Sequence, residues 1–106
     1  MKTVEEYLAD ERMRSAVDEL KAVISATYPE VTFKPYLWED PTGLYLEAMV
    51  DIDDIEEVTD LVIDRLVRMY FDEEIPIHLI PVRTPERRAA MREREQLARE
   101  RMKAFS

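Results

Sequence analysis

The residues best suited to chemistry are three aspartates in the stretch Asp51-Ile52-Asp53-Asp54. Side chains alternate across a β-strand, so Asp51 and Asp53 share a face if the strand runs through them. Two convergent carboxylates can hold a hard cation such as Mg²⁺ beside a phosphate. Asp51, Asp53 and Asp54 are therefore candidate metal ligands of a Mg²⁺-dependent enzyme acting on a nucleotide or phosphate. Such a site also needs a tight glycine-containing turn to cradle the phosphate, and the one glycine, Gly43, sits in a hairpin. The competing use is structural: Asp53 caps the helix that follows, and Asp51 and Asp54 complement its amino-terminal dipole. That use accounts for all three residues and is the one expected.

Two other groups invite a chemical reading. His78 is the only histidine and lies in an apolar run, IPIHLIPV. A general base needs a positioned partner, and its same-face neighbours Pro76 and Ile80 supply none, which leaves a cross-strand carboxylate such as Glu47. Tyr36, Trp38 and Tyr45 cluster about the hairpin, and aromatics on an exposed sheet face can stack bases. The same stretch carries Glu39, Asp40, Glu47 and Asp51, which would repel phosphates. A protein contact or packing under a helix fits these aromatics better, packing being the simpler expectation.

The carboxyl-terminal stretch from Arg83 holds seven arginines and one lysine in a chain of net charge −9. Its register repeats every seven residues, at Glu86, Glu93 and Glu100. At roughly 100° per residue, Arg87, Arg94 and Arg101 form one stripe. Ala90 and Leu97 flank it on one side and Met91, Ala98, Met102 and Phe105 on the other. Residues 1 to 75 carry 20 acidic and 7 basic side chains, and residues 76 to 106 carry 4 and 8. Arginines bordered by apolar residues suit a helix lying on an acidic surface, its stems buried and its guanidinium groups on carboxylates. Arg87, Met91, Arg94, Ala98, Arg101, Met102 and Phe105 are the expected docking residues, on the same chain, a second copy or another acidic protein. Nucleic-acid binding through this helix is the weaker reading, because four glutamates interrupt it and the body's charge opposes phosphate.

These residues need elements to hold them. Thr3 and Glu6 fit a capping box opening a helix that ends at Tyr28-Pro29, with a break near Asp10-Glu11. Val31–Glu39 and Gly43–Ile52 alternate as strands about an Asp40-Pro41-Thr42-Gly43 type I turn. Ile55, Val58, Val62, Leu66 and Met69 mark a second helix, broadened by Leu61, Ile63, Val67 and Tyr70, expected to be largely buried and to end near Phe71. Ile75–Val82 is a third strand, and Thr84-Pro85 opens the last helix, with Thr as cap. The expectation is one α+β domain of order α-β-β-α-β-α: a three-stranded mixed sheet with helices on one face. Residues 1–83 form the body and 84–106 a charged docking helix of the same domain. Exposed edges on so small a sheet favour a homodimer.

The 46% hydrophobic content is enough to fold a chain of 106 residues as one domain. Zero cysteines exclude disulfides, thiolate metal sites and cysteine nucleophiles. Phosphate-loop, Rossmann, zinc-finger and GxSxG motifs are missing, so no cofactor is expected. No apolar run approaches the roughly 20 residues that span a bilayer, and the acidic start argues against a signal peptide. The sequence-level expectation is a cytoplasmic, non-enzymatic interaction or regulatory module.

Overall fold

A computed structural model describes residues 2–39 and 41–104. Its elements are α1 (Val4–Ala9), α2 (Glu11–Thr27), β1 (Thr32–Glu39), β2 (Thr42–Val50), α3 (Glu56–Val67), β3 (Ile77–Arg83) and α4 (Pro85–Ala104), with a π-helical turn, Arg68–Asp72, extending α3. The result is a small α+β domain with a three-stranded mixed sheet in the order β1-β2-β3, as the alternation and helical stripes predict.

Local signals set the helix ends. The Thr3 hydroxyl accepts from the Glu6 amide at 3.1 Å and starts α1. Asp10 breaks it and starts α2, its carboxylate accepting from the Arg12 and Met13 amides at 2.9 and 3.2 Å. Thr84 accepts from the Arg87 amide at 3.1 Å, and Pro85 opens α4. At α3 the expected cap is displaced: Ile55 holds the cap position without a side-chain bond, and Asp54 before it, not Asp53, accepts from the Glu56 amide at 3.1 Å. After the π turn the chain reverses at Glu74, which adopts φ 55°, the left-handed region.

β1 and β2 pair antiparallel, and β2 and β3 parallel. Leu44, Leu46, Ala48 and Val50 all turn to one face and are fully buried, packed with Met13, Ala16, Val17, Leu20 and Ile24 of α2 and Val58 and Val62 of α3. This layer is the hydrophobic core. Arg65 ties the helices together on its rim, donating to Glu19 of α2 at 2.6 Å and to Glu73 beyond the π turn.

The ladder's parity determines what the sheet edges offer. The Leu44 amide donates to the Pro76 carbonyl at 2.9 Å and the Thr84 amide to the Val50 carbonyl at 3.2 Å. Even-numbered residues of β2 and β3 therefore bond each other, and odd-numbered residues of β2 bond β1. It follows that Pro35, opposite Leu46, and Pro81, opposite Ala48, point their missing donors outward, one on each edge. Proline at such a position blunts an edge against a further strand. The sheet's edges are thus not the open templates that its small size implies.

Two sequence expectations are corrected by packing. The expected turn included Gly43, but Thr42 and Gly43 already belong to β2, and Asp40 lies outside the described residues. Gly43 is required for space rather than for a turn. A Cβ there would lie well inside contact distance of the Pro76 carbonyl and 3.0 Å from Nε2 of His78. Secondly, α3 is not largely buried: Leu61, Ile63 and Val67 are 41%, 43% and 46% exposed, and Phe71 just beyond is 71% exposed. Its apolar arc is wider than the sheet it covers.

Candidate functional site

The aspartates and the arginine stripe, some 35 residues apart in sequence, meet where β2 and β3 end. Asp51 and Asp53 follow β2, and Thr84 carries β3 directly into α4, so the first turns of α4 stand beside both carboxylates. Arg87 donates to Asp51 at 2.9 Å and to Asp53 at 3.2 Å; Arg94, two turns on, donates to Asp53 at 2.9 and 3.3 Å. The Thr84 hydroxyl adds a bond to Asp51 at 3.3 Å, and Arg83 reaches the Asp53 carbonyl at 2.7 Å. The hydrogen bond from Arg94 holds the Asp53 carboxyl below its usual range, and Asp51 raises Arg87.

The three candidate metal ligands are therefore divided. Asp51 and Asp53 are brought together, but against two guanidinium groups, and Asp54 instead accepts from the Glu56 amide at the start of α3. A cation would have to displace Arg87 and Arg94. Among the described residues no group of three or more acidic, histidine or cysteine side chains is arranged to hold a metal. The chemistry of this junction is electrostatic fastening: it fixes the direction in which α4 leaves the body.

The docking residues are divided in turn. Arg87 and Arg94 are engaged within the chain, Arg101 meets no carboxylate among the described residues, and Phe105 lies outside them. Met91 is half-buried, Ala98 is exposed, and Met102 and Leu97 are 73% and 54% exposed. No residue of α4 is buried. The radius of gyration is 17.3 Å, against about 13 Å for a compact domain of this length, and the longest extent is 58 Å. α4 is a projecting arm fastened at its base.

The sheet's second face carries no helix layer from the core cluster, which draws its strand residues from the opposite face alone. On it Tyr36, Tyr45 and His78 stack across three strands, with centroids 5.6 and 4.4 Å apart, and Tyr70 approaches the His78 ring at 5.2 Å. Trp38, expected beneath a helix, is 60% exposed on this face. Tyr45 is buried by its neighbours, its hydroxyl donating to the Pro41 carbonyl at 2.7 Å. Among the described residues Nε2 of His78 is buried without a hydrogen-bond partner, and burial lowers the ring's pKa against the opposing pull of the Thr42 backbone. Glu47 stands opposite Ile80 rather than His78, so the expected cross-strand carboxylate does not face the ring. The imidazole is wedged between tyrosines, and its burial favours the neutral form.

Sequence reasoning missed one surface, the exposed row Ile63, Val67 and Phe71 on α3 and its π turn. Its signal was present in the broad apolar arc of α3, which exceeds what one helix face can bury. A shallow groove beside it is lined by Leu66, Val67, Tyr70, Phe71, Leu79 and Ile80. The chain matches no family model, no curated protein and no solved structure.

Proposed function

We propose that this chain is a non-enzymatic protein-interaction module that acts as a homodimer, with α4 as its docking helix. One observation carries the reading: α4 is 20 residues long and has an apolar side in Ala90, Met91, Leu97, Ala98 and Met102, of which Met91 is half-buried and the rest is exposed. In proteins most helical stability comes from packing an amphipathic face rather than from intrinsic propensity. A fastened base with an unpacked remainder suits a helix whose surface is supplied on association. The acidic body, with 20 acidic against 7 basic side chains in residues 1 to 75, is the kind of surface its arginines fit.

Light scattering across a concentration series tests this. The full chain is expected to give twice the 12.6 kDa chain mass, and deletion of residues 86 to 106 is expected to return it to a monomer. A monomer at every concentration, with stability unchanged by the deletion, contradicts the reading. The rival, Mg²⁺-dependent chemistry at Asp51 and Asp53, predicts a rise in Tm with millimolar Mg²⁺; no rise is expected here.

A further inference from the structure

We infer that the far half of α4 from one copy lies along the exposed row Ile63, Val67 and Phe71 of a second copy, and that the exchange is reciprocal. The inference rests on the homodimer reading above and assigns the surface that reading leaves open.

Four observations converge on this pairing. Ile63, Val67 and Phe71 recur at four-residue steps and are 43%, 46% and 71% exposed, a continuous row of apolar side chains left uncovered on the body. Glu56, Asp60 and Asp64 lie on the same side of α3 at helical spacing and are exposed, so the row is bordered by carboxylates. On α4 the residues beyond the Asp53 anchor present the complement: Leu97 and Met102 exposed, with Arg101 unengaged beside them. Apolar side chains then meet apolar side chains, and guanidinium groups meet carboxylates.

The dimensions agree. Ile63 to Phe71 and Leu97 to Ala104 span about 12 Å and about 10 Å at helical rise. A helix rather than a strand is the expected guest, because Pro81 blocks the outer edge of β3 beside this row. The contact cannot be made within one chain as it stands. α4 leaves the sheet where β2 and β3 end, fastened there by Asp51 and Asp53, while Phe71 lies beyond the far end of α3, near the start of β3. A second copy carries both halves of the match, so a two-fold axis makes the contact twice. That doubling is what brings a contact two turns long toward the roughly 1,200 Å² of a stable interface.

The cysteine-free chain offers a direct test. Val67→Cys and Leu97→Cys chains are prepared separately, mixed, and oxidised gently, and covalent dimer is read on a denaturing gel. The mixture is expected to cross-link at least about tenfold faster than a Thr32→Cys and Leu97→Cys mixture, in which the first position lies on the sheet's other face. Phe71→Asp, at a position that is already exposed, is expected to weaken dimerisation by about tenfold or more without lowering the monomer's Tm. If the chain is a dimer by light scattering but neither result appears, the assigned surface is wrong and the homodimer reading stands. If the chain is a monomer throughout, both fall.

Discussion

The body and the arm of this molecule were built by different physics. In the body, residues at helical and strand spacing converge on Leu44, Leu46, Ala48 and Val50, each fully buried between the sheet and α2 and α3. In the arm, a stripe of similar regularity finds two aspartates and then solvent. The same periodic signal thus yields a core where a partner surface lies nearby in the chain, and an unpacked helix where none does. Periodicity states that a face is apolar; it does not state what covers it.

The contrast is sharpest in mutational terms. Leu46→Ala or Leu20→Ala removes a fully buried side chain and is expected to cost about 2–5 kcal/mol in chemical denaturation. Leu97→Ala in α4 should stay within about 0.5 kcal/mol for the monomer. Comparable losses at both positions in dilute protein would mean that α4 is packed within its own chain.

Gly43→Ala ranks next. The new methyl meets the Pro76 carbonyl and the His78 ring, and the parallel pairing of β2 with β3 must open to admit it. A loss of about 1–3 kcal/mol is expected in the same experiment. No loss would show that the start of β3 yields more readily than the core beside it.

A pH series separates the two regions by the pH at which each loses stability. His78 is the only histidine, and burial lowers its pKa from the ordinary 6.5. A group whose folded pKa is depressed contributes stability above its unfolded pKa and loses it as pH falls through the folded one. Tm is therefore expected to fall as pH drops from about 7.5 to below the ordinary histidine value, and His78→Phe should flatten that fall. Asp53 follows the same rule at lower pH: its pairing with Arg94 and Arg87 fades once pH falls through its depressed pKa.

The smallest effect belongs to the fastening itself. Arg87, Arg94, Asp51 and Asp53 are partly exposed, with side-chain exposures from 33% to 57%. Exposed ion pairs contribute little and are screened by salt. Arg94→Gln should barely move the monomer's Tm, and that shift should vanish in molar salt, while α4 loses its fixed direction. A spin label on α4 reporting distance to the body would broaden in the variant.

Much of the fold was legible because its signals are local. Thr3, Asp10 and Thr84 stand before helices and bond their first amides, and alternation marked β1 and β2 as the paired strands they are. Where two residues compete for one local role, the sequence was ambiguous: Asp54 rather than Asp53 bonds the first amide of α3, and Ile55 takes the cap position. Non-local features were not legible. The spacing of Arg87 and Arg94 and the pair Asp51 and Asp53 were both visible, but their meeting depends on β3 ending level with β2. The blunting of both edges by Pro35 and Pro81 required the ladder's parity, which no single strand reveals. The burial of α3 was overestimated for a related reason: its apolar arc was read as core when part of it faces outward.

The central claim is that the arm's apolar side is covered by another copy of the chain. Sedimentation velocity of the full chain beside a Leu97→Asp, Met102→Asp double variant tests it most directly, since both positions are exposed and the substitutions leave the body intact. The account predicts a dimer for the native chain and an extended monomer of unchanged Tm for the variant. A native chain and variant that sediment identically would contradict it.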